Sequence, residues 1–330
     1  MAVTQFPILV LTPPARADAI LSSGLIRRLH DEIPHARFTI VASATAAPLF
    51  RETPGLERLI EVERSGFGAG FGLWWRLRPR RWGLVLDLAD GGLAKHLAAT
   101  RKSRRPAPDA PPAHKVIQAA RRLKLEDDPP APWLFTSAET RARANELMGT
   151  GGPLLAVAPA EPWIGAAWPA DRFARAAIQI LGEGGPLAGG RLVMVGAPED
   201  WREAEGLRRS LSRERLIDLS QEPDPLVIHA CLERVDLFIG GAGWMTHLAT
   251  AAGAPTLGLY GPTDDALEGV WGPRARVVRG PRSFEAIRAI DPGLNQSIAH
   301  MLDLKVEAVV EAAADLVQTM TPIRRLRRHG

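Results

Sequence analysis

The densest run of chemistry-bearing residues in this 330-residue chain lies between Asp236 and Asp264. It reads Leu237-Phe238-Ile239, Gly240-Gly241-Ala242-Gly243-Trp244, Met245-Thr246-His247-Leu248-Ala249, Thr256-Leu257-Gly258-Leu259-Tyr260 and Gly261-Pro262-Thr263-Asp264. The spacing predicts strand, Gly-rich turn, helix, strand and a second turn. Glycines let backbone N–H groups approach a phosphate, and a helix N-terminus adds partial positive charge. Two such turns after neighbouring strands could cradle a diphosphate. Glycines also simply make tight turns, and the residues alone leave both readings open. His247 is open in the same way: it could lie near the diphosphate, or be a buried histidine holding its helix against the sheet.

Asp18 follows the apolar run Ile8-Leu9-Val10-Leu11, with Arg16 two residues before it. As a cap or first-turn acid it would contribute about 1 kcal/mol. As a general base it would take the proton of a hydroxyl. Lys95 follows the run Leu84-Val85-Leu86-Asp87-Leu88 and reads either as a cation facing a ligand or as a solvated helix lysine. Trp74, Trp75, Arg76, Arg78, Arg80, Arg81 and Trp82 mix aromatic with basic residues. That mixture suits a membrane headgroup surface, or a partly buried helix with a charged end. No DNA or RNA module signature accompanies it, so no nucleic-acid partner is expected.

Several chemistries are excluded. The Gly-rich stretch from Gly66 to Gly72 does not have the spacing of a dinucleotide fingerprint, and no P-loop motif occurs. There is no Asp-x-Asp pair and no histidine metal motif, so no metal and no cofactor are expected. The single cysteine, Cys231, allows no internal disulfide and no cysteine-pair zinc site, which fits a reducing cytoplasm. No run of about 18 apolar residues exists, so no spanning helix is expected. The first residues lack a basic n-region, so no signal peptide is expected.

These candidates need strands and helices to position them. Continuous apolar runs at 8–11, 38–41, 59–62 and 84–88 alternate with amphipathic segments, which predicts a parallel α/β sheet covered on both faces. A Pro-rich region flanks a helical patch at 115–125, and a helix follows near 138–148. Gly149-Thr150-Gly151-Gly152-Pro153 then breaks the chain. We place the domain boundary there, giving domains 1–150 and 151–330. The second half predicts strands at 154–158, 192–195, 216–219, 237–239, 256–260 and 276–278. Helices are expected near 170–182, 199–211, 224–232, 245–252 and 305–319. The fold class is α/β, with two doubly wound domains and ligands at the carboxyl ends of strands.

Charge is uneven. Residues 1–150 carry 22 Lys+Arg and 15 Asp+Glu (+7), and residues 151–320 carry 15 and 22 (−7). Arg324, Arg325, Arg327 and Arg328 add +4, for a total of 41 − 37 = +4. A basic front half and a basic tail, expected to fray, suggest an anionic partner. A GC-rich genome choosing Arg would produce the same excess: 36 of the 41 basic residues are Arg.

The block from Asp236 to Asp264 resembles the signature of glycosyltransferase family nine, the ADP-heptose lipopolysaccharide heptosyltransferases. Ala15-Arg16-Ala17-Asp18-Ala19-Ile20-Leu21, Leu84–Leu88 and Trp168-Pro169-Ala170-Asp171-Arg172-Phe173-Ala174 echo the same family in the same order. The resemblance implies the GT-B architecture, two Rossmann-like domains facing across a cleft. It implies an acceptor site in the first domain and a nucleotide-sugar donor site in the second. It makes Asp18 the base of an inverting, metal-independent transfer. The donor, an ADP-sugar, falls to Gly240, Gly241, Gly243, Trp244, His247, Gly261, Pro262 and Thr263, and Arg16 and Lys95 face acceptor or phosphate. The implied acceptor is a lipid-anchored core oligosaccharide, which places the protein on an anionic membrane surface, at the cytoplasmic face of the inner membrane.

Three positions depart from the family pattern. Ala242-Gly243-Trp244 replaces Asp-Ser/Thr-Gly, Ala166 stands where a Lys is usual, and Glu161-Pro162 replaces a polar pair. A nucleotide-sugar-binding or epimerase-type GT-B protein is the alternative. An NAD-dependent enzyme is disfavoured because no fingerprint turn is present.

Overall fold

Apolar runs without alternation form strands buried on both faces. In the computed structural model, which describes residues 5–62, 67–104, 107, 109–159, 163–196, 211–294 and 298–327, they build two parallel sheets. The chain divides into two compact units, Met1–Ser137 and Ala138–Gly330.

In the first unit β1 (Phe6–Leu11), β2 (Ala36–Ser43), β3 (Leu56–Val62), β4 (Trp82–Asp87) and β5 (Ala99–Lys102) lie in the order β3-β2-β1-β4-β5. Helices α1 (Arg16–Leu21), α2 (Gly24–Glu32), α3 (Phe67–Leu77) and α4 (Lys115–Arg121) connect or flank them. Leu9, Leu11, Val41, Ile60 and Val85 pack with Leu77 on one face. Alternation sends Ile8, Val10, Phe38, Ile40 and Leu86 to the other, all fully buried. Successive strands leave β1 in opposite directions, so the crevice for a ligand is at the carboxyl ends of β1 and β4.

Two elements here escaped sequence reasoning. β5 is an exposed edge strand, Ala-Thr-Arg-Lys, with no apolar run to announce it. Most of the Gly-rich stretch, from Phe67 onward, lies in α3.

The second unit orders its strands β11-β10-β9-β6-β7-β8, all parallel. They are β6 (Leu154–Ala158), β7 (Arg191–Met194), β8 (Leu216–Asp218), β9 (Leu237–Gly240), β10 (Thr256–Tyr260) and β11 (Ala275–Arg279). Its helices are α5 (Ala138–Met148), α6 (Ala170–Leu181), α7 (Pro225–Leu232), α8 (Trp244–Ala251), α9 (Asp265–Glu268), α10 (Phe284–Ile290) and α11 (Val306–Arg327). Val157, Ile239 and Leu257 of the sheet share one core with Phe173 and Ile180 of α6 and Val309 and Leu316 of α11. The crevice falls at the carboxyl ends of β6 and β9, where the strand order reverses.

The division between units lies twelve or so residues before the Gly-rich break, because α5 belongs to the second unit. Arg234 donates to Asn145 Oδ1 at 3.0 Å and to Gly149 O at 2.9 Å, tying α5 to the end of α7. α11 extends through Arg327, beyond the end expected near residue 319. The helix expected near 199–211 lies, apart from Leu211, outside the described residues. Among the described residues no helix is long and apolar enough to cross a membrane.

The start of α2 is a tight crossing. A Cβ on Gly24 would lie 2.2 Å from Ala131 O, and Ser23 Oγ accepts from the Trp133 backbone N–H at 2.9 Å. Gly24→Ala is expected to destabilise the protein by about 1–3 kcal/mol, the usual cost of overpacking. Urea unfolding measures this; an unchanged midpoint would mean the 130–133 segment yields freely.

Candidate active site

α1 begins just beyond the carboxyl end of β1, and this places Asp18 at the crevice of the first sheet. Its carboxylate does not cap the helix. The N-cap residue is Ala15, which offers no capping side chain, and Asp18 Oδ1 instead accepts from Lys115 Nζ at 2.7 Å. Both side chains are about one-third exposed. Asp18 Oδ2 makes no hydrogen bond among the described residues. The pair lines a cavity of about 210 Å³ with Ser22, Asp90, Gln118 and Arg122.

The wall on the β4 side is built by a turn. Asp87 Oδ1 accepts from the backbone N–H groups of Ala89 and Asp90, both at 3.1 Å. Asp90 is thereby held at φ 57°, in the left-handed region, and its carboxylate pairs with the buried Arg122. Lys115 and Arg122, both near α4, were missed by sequence reasoning. They stand in a segment that reads only as a generic amphipathic helix, 97 residues from Asp18 in the case of Lys115.

Arg16 and Lys95 are not brought to the same cavity. The Arg16 Nε–H donates to Thr45 O at 2.7 Å, beyond the end of β2, and burial lowers its pKa below the usual guanidinium value. Lys95 is exposed on a short 3-10 turn, Leu93–His96, and lines a neighbouring cavity of about 100 Å³.

In the second unit the two glycine turns leave the carboxyl ends of adjacent strands, β9 and β10. A Cβ on Gly240 would come within 2.7 Å of Thr246 Oγ1, so only glycine lets the turn close onto the helix. Thr246 Oγ1 in turn donates to Gly241 O at 2.5 Å. Gly243, with extended backbone, is the N-cap of α8, whose first-turn N–H groups face out of the helix end. Trp244 is half-buried, whereas His247 is buried at 1% exposure, inside the helix packing rather than at the surface of the turn.

The second turn, Gly261-Pro262-Thr263, is held from behind. Arg279, at the end of β11, donates to Gly261 O, to Thr263 O at 2.8 Å and to the Asp265 carboxylate. Asp264 caps α9 through the Ala266 N–H at 3.0 Å. A Cβ on Gly261 would lie 2.2 Å from Met301 Sδ, so the turn packs against that side chain. Arg279 also escaped sequence reasoning, because nothing in its strand distinguishes it from Arg276. Of the family departures, Ala166 is buried and Ala242 half-buried, while Glu161 and Pro162 lie outside the described residues.

The family model described as glycosyltransferase family 9 (heptosyltransferase) matches residues 90–289. The chain belongs to glycosyltransferase family 9. It is therefore a glycosyltransferase enzyme of heptosyltransferase type. Solved structures share its GT-B fold of two Rossmann-like units. A glycosyltransferase family 9 protein from Veillonella parvula aligns over 97% of this chain and 99% of its own, at 19% identity and TM-score 0.76. E. coli ADP-heptose lps heptosyltransferase II aligns over 95% and 99%, at 18% identity and TM-score 0.72. E. coli heptosyltransferase WaaC with ADP aligns over 94% and 100%, at 17% identity and TM-score 0.69. No curated protein matches the sequence.

The Arg279 clamp gives a direct test within this family 9 enzyme. Its side chain is 15% exposed and serves two carbonyls and a carboxylate. Arg279→Ala is expected to cost about 2–4 kcal/mol, because it leaves partly buried acceptors unsatisfied. Chemical denaturation reads the loss; a change below 0.5 kcal/mol, on the order of a surface substitution, would show the turn holds without the clamp.

Proposed function

We propose that this enzyme moves a sugar, heptose or a related one, from a nucleotide-sugar to a lipopolysaccharide core acceptor, inverting the anomeric centre without a metal ion. The observation that carries the reading is the Asp18–Lys115 pair at the carboxyl end of β1. Lys115 occupies Oδ1 and fixes the carboxylate plane. Oδ2 is then the oxygen that accepts the proton of an acceptor hydroxyl while the hydroxyl oxygen attacks the anomeric carbon. The bond from that carbon to the diphosphate oxygen breaks on the opposite side. The leaving nucleoside diphosphate takes the electron pair and carries the negative charge.

In this reading the first unit binds the acceptor and the second binds the donor. The departing diphosphate rests on the backbone N–H groups of Gly241, Gly243 and the first turn of α8, and on the Gly261-Pro262-Thr263 turn. Such groups stabilise developing anions without side-chain charge. Ala166 and Ala242 supply neither the ammonium nor the carboxylate of the usual family pattern. A charge-assisted contact to phosphate contributes about 1.5–3 kcal/mol. Stacking of a base or sugar ring on the half-buried Trp244 offsets about 1–3 kcal/mol of such a loss. An ADP-sugar is the donor to try first, since the E. coli relative was solved with ADP. His247, from its buried position, supports α8 rather than touching the donor.

The acceptor's lipid anchor calls for a membrane-facing surface. Phe71 and Trp75 of α3 are 65% and 57% exposed, and the Arg78 guanidinium lies 4.4 Å from the Trp75 ring centroid. Exposed aromatics with a neighbouring cation are the composition of a headgroup-seeking surface. We place the enzyme at the cytoplasmic face of the inner membrane.

Two measurements test this function. Asp18→Asn is expected to keep the fold and donor binding and to lower transfer by about 100-fold or more, the size of a general-base contribution. A variant that turns over like the parent would remove Asp18 from the chemistry, and a parent that binds donors but transfers none would make the protein a binding module. Removal of residues 322–330 deletes four arginines, each contributing about 1 kcal/mol near an anionic surface. Sedimentation with phosphatidylglycerol vesicles at fixed salt should show weaker binding; equal binding would rule the tail out as an anchor.

A further inference from the structure

Two carboxylates reach the cavity beside β1 and β4, and only one of them has a task in the transfer. Asp18 and Asp90 both line this space of about 210 Å³. Each is held through one oxygen by a cation of the same helix. Lys115, the first residue of α4, donates to Asp18 Oδ1, and Arg122, at the end of α4, donates to Asp90 Oδ2. Asp90 Oδ1 accepts no hydrogen bond among the described residues. The Asp90 side chain is 50% exposed, although the guanidinium that holds it is buried.

The backbone at this position sharpens the point. Asp90 stands at φ 57°, where a side chain is strained, yet Gly91 follows at once and a Cβ there would meet nothing within 4 Å. The turn therefore carries a side chain at its strained residue although a glycine stands next to it. Strain of this kind collects where a group is held out for a ligand. The rest of the wall has matching polarity. Gln118 Nε2 donates to Ala113 O at 2.6 Å, which leaves its Oε1 as the unoccupied end, and Ser22 Oγ directs its proton to backbone carbonyls of α1. Lys115 and Arg122 are both already paired. The cavity thus offers oxygens that accept and no unpaired cation, which suits a neutral ligand rich in hydroxyl donors.

We propose that Asp90 determines acceptor specificity. Asp90 Oδ1 accepts a hydrogen bond from a second hydroxyl of the acceptor sugar, on the ring whose reacting hydroxyl gives its proton to Asp18. The unit that receives the transferred sugar is then an uncharged ring with a free second hydroxyl, and an anionic substituent at that point is repelled. This rests on the transfer reading given above.

The test uses the full chain and Asp90→Asn. Asparagine adopts a left-handed φ readily, and its amide oxygen still accepts from Arg122, so the unfolding midpoint should stay near that of the parent. Its NH2 group replaces the open oxygen. Saturation-transfer NMR with methyl α-hexopyranosides of the manno, gluco and galacto series reads binding without chemistry. At least one should bind the parent, and Asp90→Asn should bind it about tenfold more weakly, the worth of a hydrogen bond to a charged group. No binding of any by the parent, or equal binding by the variant, overturns the assignment whether or not the protein transfers sugar. The monodeoxy derivatives of the hexoside that binds then locate the contact. One hydroxyl should be found whose removal weakens the parent about tenfold and the variant less than about twofold. Equal losses in both proteins at every position contradict the proposal. In transfer from ADP-heptose to rough lipopolysaccharide, Asp90→Asn should raise the acceptor KM about tenfold and keep kcat within about threefold. A fall in kcat with unchanged KM would tie Asp90 to the proton transfer instead and contradict its role in specificity.

Discussion

A carboxylate proposed as a base is oriented when one of its oxygens is held and the other is left to accept the proton. Here a contact of 2.7 Å from Lys115 Nζ to Asp18 Oδ1 holds that oxygen. It joins the first helix after β1 to the first residue of α4, across 97 residues of chain. The sheet order explains why the contact forms. β1 is central, its neighbours are reached in opposite directions, and segments following β1 and β4 emerge side by side. Asp87 and Asp90 shape the adjoining turn, and the buried Arg122 anchors it through Asp90.

The second unit relies on a different device. Its two turns present backbone rather than charged side chains, so their geometry must be imposed by groups behind them. Thr246 closes the first turn through Gly241 O, and Arg279 clamps the second through Gly261 O and Thr263 O. Glycine is required at 240 because a Cβ would strike Thr246 and Phe238. In the proposed reading, a donor site built this way would tolerate the loss of an acidic or basic side chain at Ala242 and Ala166.

Much of this was legible in the amino-acid sequence. The parallel sheets follow from continuous apolar runs, and ligands at the carboxyl ends of strands follow from the parallel arrangement, whereas the strand order that locates each crevice came from the structure. Asp18 stood out through the family resemblance, since its residues alone read equally as a first-turn acid and as a base. Lys115, Arg122 and Arg279 did not, because their roles exist only through partners far away in sequence. β5 was invisible for a physical reason of its own: an edge strand with its side chains in water needs no apolar pattern. The position of α5 was hidden likewise, since glycines mark a turn without saying on which side of it the contacts fall.

The proposed transfer uses one carboxylate as base, with no carboxylate forming a bond to the sugar. The most direct measurement is the anomeric configuration of the first product, read from the coupling constants of its anomeric proton by NMR against that of the nucleotide-sugar consumed. A single displacement assisted by Asp18 predicts inversion in every turnover. A product that retains the donor's configuration would require two displacements and a nucleophilic group, and would contradict the assignment of Asp18 as base.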